Sequence, residues 1–318
     1  MAIILSVVVP VFNEEDLVTE LLSRFSSMIS VLETQSLMSR HEVEVIFVND
    51  GSSDQTLSLL VSYSLTSPWC KVVDLSRNFG HQIAVTAGLD FSKGQMVAII
   101  DGDLQDPPEL IADMIIKMKE GYDVVYGVRR VRKQESLFKR ATAALFYRGL
   151  RAITSIDIPL DTGDFRVMSR RVVDALGQMP EKHRFLRGMV SWIGFKQIGF
   201  EYDRDARFAG ETKYPLSKMI AFALDGLTSF STMPLKLIAR LGYLVVLVGF
   251  FYALYVLYAA FVLDLTVQGW TSIVLLVLII GGVQLISLGV IGDYVGRNHV
   301  ELKRRPLYIV RDVYALPE

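Results

Sequence analysis

The sequence is short of several things, and each shortage excludes something. It holds one cysteine, Cys70, in 318 residues, so no intrachain disulfide can form, which fits a reducing compartment. Its 33 Lys and Arg nearly cancel its 34 Asp and Glu, and the net charge of −1 gives no basic field to draw nucleic acid. No cleavable signal peptide is legible, because "MAIILSVVVP" has no basic leader and "VFNEED" interrupts it. No G-x-G-x-x-G follows a strand and no G-x-x-x-x-G-K-[ST] occurs, so a nicotinamide dehydrogenase and a P-loop kinase both lose ground.

Two long stretches also lack charge, Leu241–Leu263 and Leu265–Gly292. At about 1.5 Å per helical residue the first reaches roughly 35 Å, against about 30 Å for a hydrocarbon core. The expectation is a two-helix transmembrane hairpin within 235–298, with spans near 237–263 and 269–292. Lys236 and Arg240 precede it, Arg297, Lys303, Arg304 and Arg305 follow it, and the loop "DLTVQGW" has neither Lys nor Arg. The positive-inside rule then places a multi-pass protein in the inner (plasma) membrane, with residues 1–213, the 299–318 tail and both termini cytosolic. Residues 214–234 read as an interfacial juxtamembrane helix. Residues 136–153 read as a basic amphipathic helix, either on an anionic bilayer surface or packed on the domain. Gly281, Gly282, Ser287 and Gly289 offer small surfaces through which the hairpin could form a homo-oligomer.

The first half alternates apolar runs with helical spacing. Strands are expected at 3–9, 43–48, 71–75, 95–100 and 122–127, with helices after each of the first four. Ser52, Ser53 or Asp54 can cap the second helix, and Pro107 and Pro108 suit the first turn of the fourth. Such alternation implies an α/β fold, a mostly parallel sheet with helices on both faces. Ligands in such sheets bind at the strands' carboxyl ends. Those ends carry Pro10, Asn13 and Glu14; Asn49, Asp50 and Gly51; Ser76, Arg77 and Asn78; Asp101, Gly102 and Asp103; Gly127, Arg129 and Arg130.

The fourth end, "DGDLQDPPE", concentrates acid where a buried strand stops. Two carboxylates around one glycine repel unless a cation sits between them. Hard divalent cations take oxygen ligands, and Mg²⁺ commonly combines one or two carboxylates with substrate phosphates. Asp101 and Asp103 therefore read as half of a metal site completed by a diphosphate, with Gln105 as a neutral oxygen donor and Asp106 as a helix cap. His81 and Asn78 are open between donor contacts and helix capping.

"VVVPVFNEE", "VNDGSSDQT", "LSRNFGHQIAVTAGLD" and "DGDLQDPPE", in this order and spacing, resemble the family 2 glycosyltransferases of GT-A (Rossmann-like) fold. Within them the chain is similar to the polyprenyl-phosphate glycosyltransferases, the group of dolichol-phosphate mannose synthase and bactoprenol glucosyltransferase. The resemblance covers residues 3 to about 220, and the uncharged tail matches the bactoprenol type. It implies that Pro10, Phe12, Glu14, Val48 and Asp50 hold the base and ribose of a nucleotide sugar. It assigns Asp101, Asp103 and Gln105, with Gly102 among them, to the diphosphate and to Mg²⁺ or Mn²⁺. Asp164, in "DTGDFRVMSRR", matches an acid near the reacting sugar. In "RFAGETKY", Arg207 and Lys213 match phosphate-binding positions, and Asp103, Asp164 and Arg207 are the implied catalytic residues. Arg129, Arg140 and Arg207 fall where the acceptor phosphate is expected.

The implied function is inverting transfer of one hexose to polyprenyl (undecaprenyl) phosphate on the cytosolic face of the lipid bilayer. Glucose from UDP-glucose is the favoured donor. The alternatives are mannosyl transfer from GDP-mannose and a catalytically inactive membrane-anchored scaffold. A processive synthase would need Q-x-x-R-W and more spans, and neither is present.

Overall fold

Seven consecutive buried residues, Leu5–Val11, make β1. The computed structural model describes residues 2–130, 162–203, 233–261 and 269–316. In the first of two compact units, β1 is followed by α1 (Val18–Thr34), β2 (Val43–Asn49), α2 (Thr56–Ser64), β3 (Cys70–Leu75), α3 (His81–Phe91) and β4 (Met96–Ile99). Then come α4 (Ile111–Met118), β5 (Val124–Arg129), β6 (Thr162–Ser169), α5 (Arg170–Gly177), α6 (Leu186–Ile193), β7 (Gln197–Tyr202) and, at the end of the chain, β8 (Val310–Tyr314).

The strands form one sheet in the order β7-β5-β6-β4-β1-β2-β3-β8. β4, β1, β2 and β3 run parallel, as the alternation implies, and β1 and β2 are buried throughout, as strands covered on both faces must be. β1 begins two residues later than its apolar run, because its register is set by pairing Leu5 with Val43 and Met96. α1 turns Leu21, Phe25, Met28 and Leu32 inward at helical spacing, and Phe25 meets Phe47 of β2 edge to face at 5.7 Å. α3 lies so close to the sheet that a Cβ on Gly88 would stand 2.2 Å from Val8 Cγ1.

Three departures from the sequence reading matter for the rim. β6 inserts antiparallel between β4 and β5, so its beginning, Gly163 and Asp164, reaches the edge where β4 ends. β7 runs parallel to β5 and sets Tyr202 opposite Arg129 at the same rim. Asp106 does not cap the following helical turn. Pro107 takes that position, and Asp106 is fully buried. The expected side-chain cap of α2 is not formed: Gln55 takes the cap position without a side-chain hydrogen bond, and Asp54 Oδ1 instead accepts from Thr56 N at 3.1 Å within the preceding turn.

The second unit is built on α7 (Met233–Phe261) and α8 (Trp270–Leu302), which show Tyr243, Phe250, Leu285 and Ile286 on their surfaces. The expected transmembrane hairpin, and with it the multi-pass membrane placement and orientation, is corrected here. Among the described residues no helix is long and apolar enough to cross a membrane. The uncharged runs and the helices differ at their ends, α7 starting at Met233, ahead of Leu241, and stopping at Phe261. The second run starts at Leu265, ahead of α8, and the last three turns of α8 carry Asp293, Arg297 and Glu301. The segments 136–153 and 214–232 lie outside the described residues.

Candidate active site

The rim is braced before it is functional. Asn13, in the left-handed region at φ 53°, accepts from Ser53 N at 2.9 Å and donates its own N–H to Ser52 Oγ at 3.0 Å. Thr56 Oγ1 accepts from Glu14 N at 2.9 Å, and Glu15 Oε2 from Gln55 N at 2.9 Å. The "FNEE" and "DGSSD" loops are thus laced to each other. Asp50, 3% exposed, accepts from Phe79 N at 2.7 Å and Gly80 N at 2.9 Å, which fixes the turn into α3. That turn delivers His81 as the first residue of α3, with Gly80 at φ 101° before it.

His81 meets two acids. Its Nε2 lies 3.0 Å from Asp164 Oδ2 and 3.5 Å from Asp101 Oδ1. One donor atom from each of these three residues falls within 4.8 Å of the others. Asp164 is held on both oxygens, with Arg187 Nε at 2.8 Å on Oδ1 and Gln82 Nε2 at 3.1 Å sharing Oδ2 with His81. Gln82 in turn accepts from Leu186 N at 3.1 Å, tying α3 to the start of α6. Buried Arg166 completes the positive surround, 3.8 Å from Asp164 Oδ1.

The charges follow from this packing. Burial alone would raise the Asp164 carboxyl, but Arg187, His81 and Arg166 hold it well below the usual carboxylate range. Loss of hydration works against a charged His81, yet the Asp164 hydrogen bond and the Asp101 charge lift its pKa to about 9. Burial lifts Asp101 to about 6, helped by Asp164, Asp106 and Asp103 and opposed by His81. At neutral pH, Asp164 is ionised and His81 protonated. A carboxylate that accepts three hydrogen bonds and has a depressed pKa is a poor proton acceptor.

A divalent cation suits the remaining acid. Asp101 Oδ1 is buried without a hydrogen-bond partner, an orphaned carboxylate oxygen that a divalent cation would satisfy. Asp103 Oδ1, by contrast, accepts from Gln105 N at 3.2 Å inside its own turn, which contains Leu104 at φ 56°. Gln105 is 7% exposed.

Of the other residues singled out by sequence, Pro10 and Val48 are buried and paired in register, Gly102 is buried against Pro10, and Phe12 is exposed at the end of β1. Arg129 ends β5 beside Asp106, with NH2 3.6 Å from Oδ2. Arg140, Arg207 and Lys213 lie outside the described residues. Sequence reasoning missed Gln82 and Arg187. Gln82 stood inside a quoted motif, but Arg187 sits on a helix that no spacing marked, 23 residues from the acid it grips.

The model of the family described as Glycosyl transferase family 2 matches residues 6–177, more than half of the chain. The chain belongs to this family. An uncharacterized family relative, the glycosyltransferase YkcC of Bacillus subtilis, is 50% identical over 98% of this chain and 94% of its own. The prophage bactoprenol glucosyl transferase homolog of Escherichia coli K12 is 40% identical over 97% of this chain and 99% of its own. The bactoprenol glucosyl transferase of Shigella phage SfII is 39% identical over 96% and 97%. Solved structures align more loosely; S. aureus TarS 1-349 covers 64% of this chain, and is covered for 59% of its own, at 18% identity and a TM-score of 0.45. The family 2 match takes in every described residue of the His81, Asp101 and Asp164 cluster.

Proposed function

We propose that this family 2 glycosyltransferase moves one hexose, glucose from UDP-glucose by preference, onto polyprenyl phosphate with inversion at the anomeric carbon. The observation that carries the reading is the acidic and cationic cluster at the carboxyl rim of the sheet. Near-full-length likeness to proteins named as bactoprenol glucosyl transferases supports the lipid acceptor and the glucose.

The chemistry suits that site. An acceptor phosphate oxygen attacks C1 of the sugar from the face opposite the nucleotide. The C1–O bond to the diphosphate breaks, and its electron pair leaves with the nucleoside diphosphate. The attacking oxygen is already anionic near neutral pH, so no strong base is required and the ion-paired Asp164 need not supply one. The site must hold two anions together and keep them in line. His81 and Arg187 bring positive charge beside Asp164, and Arg129 brings it at the same rim. Asp101, with Asp103 and Gln105 on the same turn, would hold Mg²⁺ or Mn²⁺, and protonated His81 would stay a charge partner of Asp101 and Asp164. The ion would offset charge on the departing diphosphate.

The deciding experiment is transfer of radiolabelled sugar from UDP- and GDP-sugars to polyprenyl phosphate by purified protein, with Mg²⁺ or Mn²⁺ and with EDTA. Label on the lipid from UDP-glucose alone, lost in EDTA, is the expected result. Label from GDP-mannose would replace the donor. No label from any donor, in folded protein, would overturn the enzymatic reading in favour of a scaffold.

A further inference from the structure

A second polar cluster stands beside the first and is built around Arg129. Asp106 is fully buried, an expensive position for a carboxylate without partners. Its Oδ1 accepts a short hydrogen bond from the Tyr202 hydroxyl, and its Oδ2 faces Arg129 NH2 at 3.6 Å. Tyr202 is itself 3% exposed, with its ring edge to face with Phe165 at 5.6 Å.

Two glycines make the arrangement possible. A Cβ on Gly127 would stand 2.8 Å from Tyr202 Cε1, and a Cβ on Gly163 would stand 2.5 Å from Arg129 NH2. The backbone of β5 is thus pared back for the phenol, and that of β6 for the guanidinium. The result is a chain of groups from the interior outward: Phe165, Tyr202, Asp106, Arg129. Of these four only Arg129 reaches solvent, with 30% of its side chain exposed, at the last residue of β5, two beyond Gly127, and at the rim that carries Asp101.

An arginine meant only to neutralise Asp106 would not need the phenol, yet the Tyr202 hydroxyl contacts both the carboxylate and the guanidinium. The phenol donates to Oδ1 and also hydrogen-bonds Arg129, so that hydroxyl and the Asp106 charge together border the guanidinium. A guanidinium immobilised this way loses less entropy on gripping a phosphate. We propose that Tyr202 and Asp106 are positioning residues that hold Arg129 as a clamp for a phosphate oxyanion, the monophosphate of the acceptor. This rests on the acceptor proposed above and names the machinery that would grip it.

The test varies acceptor and donor separately in steady-state transfer by the full chain. Tyr202→Phe keeps the ring on Phe165 and removes one hydrogen bond. It should raise the KM for polyprenyl phosphate about tenfold, the cost of one well-placed hydrogen bond, with the KM for the nucleotide sugar unchanged. In an Arg129→Ala background the same change should add nothing. Asp106→Asn, which keeps the shape, should repeat the effect and serves if Tyr202→Phe fails to fold. An acceptor KM within twofold of wild type, or a full additional loss in the Arg129→Ala background, overturns the proposal. So does a rise confined to the donor KM, which would assign the clamp to the diphosphate. If wild-type protein shows no transfer, calorimetric titration with polyprenyl phosphate separates the two ideas. Binding weakened by Tyr202→Phe supports the clamp while the reaction falls. Binding unaffected by it removes the clamp as well.

Discussion

Arg187 Nε donates to Asp164 Oδ1 at 2.8 Å, and this contact fixes the charge of the site's central acid. Both groups are largely buried, with side-chain exposures of 26% and 8%. Breaking such a pair leaves an uncompensated charge, so Arg187→Ala should cost about 3 kcal/mol in denaturant unfolding. It should also lower transfer at least about tenfold, because Asp164 then orients His81 less well. Arg187→Lys restores the charge without the fork and should recover stability better than activity. An unfolding midpoint equal to wild type in Arg187→Ala would show that Gln82, His81 and Arg166 already suffice.

His81 makes a prediction about pH. Its folded pKa of about 9 stands above the ordinary 6.5, so protonation favours the folded state. The stabilisation is complete below pH 6.5 and drains away as pH rises through 9. Thermal melting of the metal-free protein should therefore fall across that window, by an amount reduced by solvent screening because the ring is 41% exposed. His81→Gln should flatten the curve there. A wild-type curve already flat between those values would mean that the Asp164 contact does not hold the proton.

Packing supplies a prediction outside the site. Gly88 on α3 has no room for a methyl group, with Val8 Cγ1 and Val48 Cγ2 at 2.2 and 3.1 Å from a built Cβ. Gly88→Ala raises helix propensity but forces α3 off the sheet, and overpacking of this kind costs about 1–3 kcal/mol. Since α3 begins at His81, activity should fall along with stability. A variant as stable as wild type would mean that the helix shifts freely, and then activity alone should report the shift.

Much of this was legible in the sequence, for a physical reason. β1 to β4 and α1 to α4 obey local rules, two-sided burial for strands and 3.6-residue spacing for helices, and their parallel order follows from alternation. α3, from His81 to Phe91, is one of the four helices that the alternation predicts. β6 was quoted as a motif and missed as a strand, because its antiparallel insertion between β4 and β5 depends on contacts more than 60 residues apart. The same non-local step brings Asp164 to Asp101. The acidic turn located Asp101 and the family resemblance located Asp164, while their meeting at His81, and the grip of Arg187, needed the fold. The uncharged runs misled in the opposite way, since absence of charge along the chain is not the length of an apolar helix.

Asp101 distinguishes a metal ligand from a structural acid. Its folded pKa of about 6 lies above the ordinary 3.8, so above pH 6 the ionised carboxylate is a cost to the metal-free fold. Asp101→Asn removes that cost while keeping the shape. In EDTA at pH 8 the variant should be more stable than wild type, on the order of 1 kcal/mol. Mn²⁺ should reverse the ranking. A cation bound to the native state raises the melting temperature with concentration, and wild type should respond where Asp101→Asn does not. Asp103→Asn should retain part of the Mn²⁺ response, because its Oδ1 already serves the Gln105 amide. The outcome that would defeat this assignment is an equal Mn²⁺-induced rise in wild type and Asp101→Asn, which would place the cation on other groups. A variant less stable than wild type in EDTA would instead show that the Asp101 contact with His81 outweighs the burial of its charge.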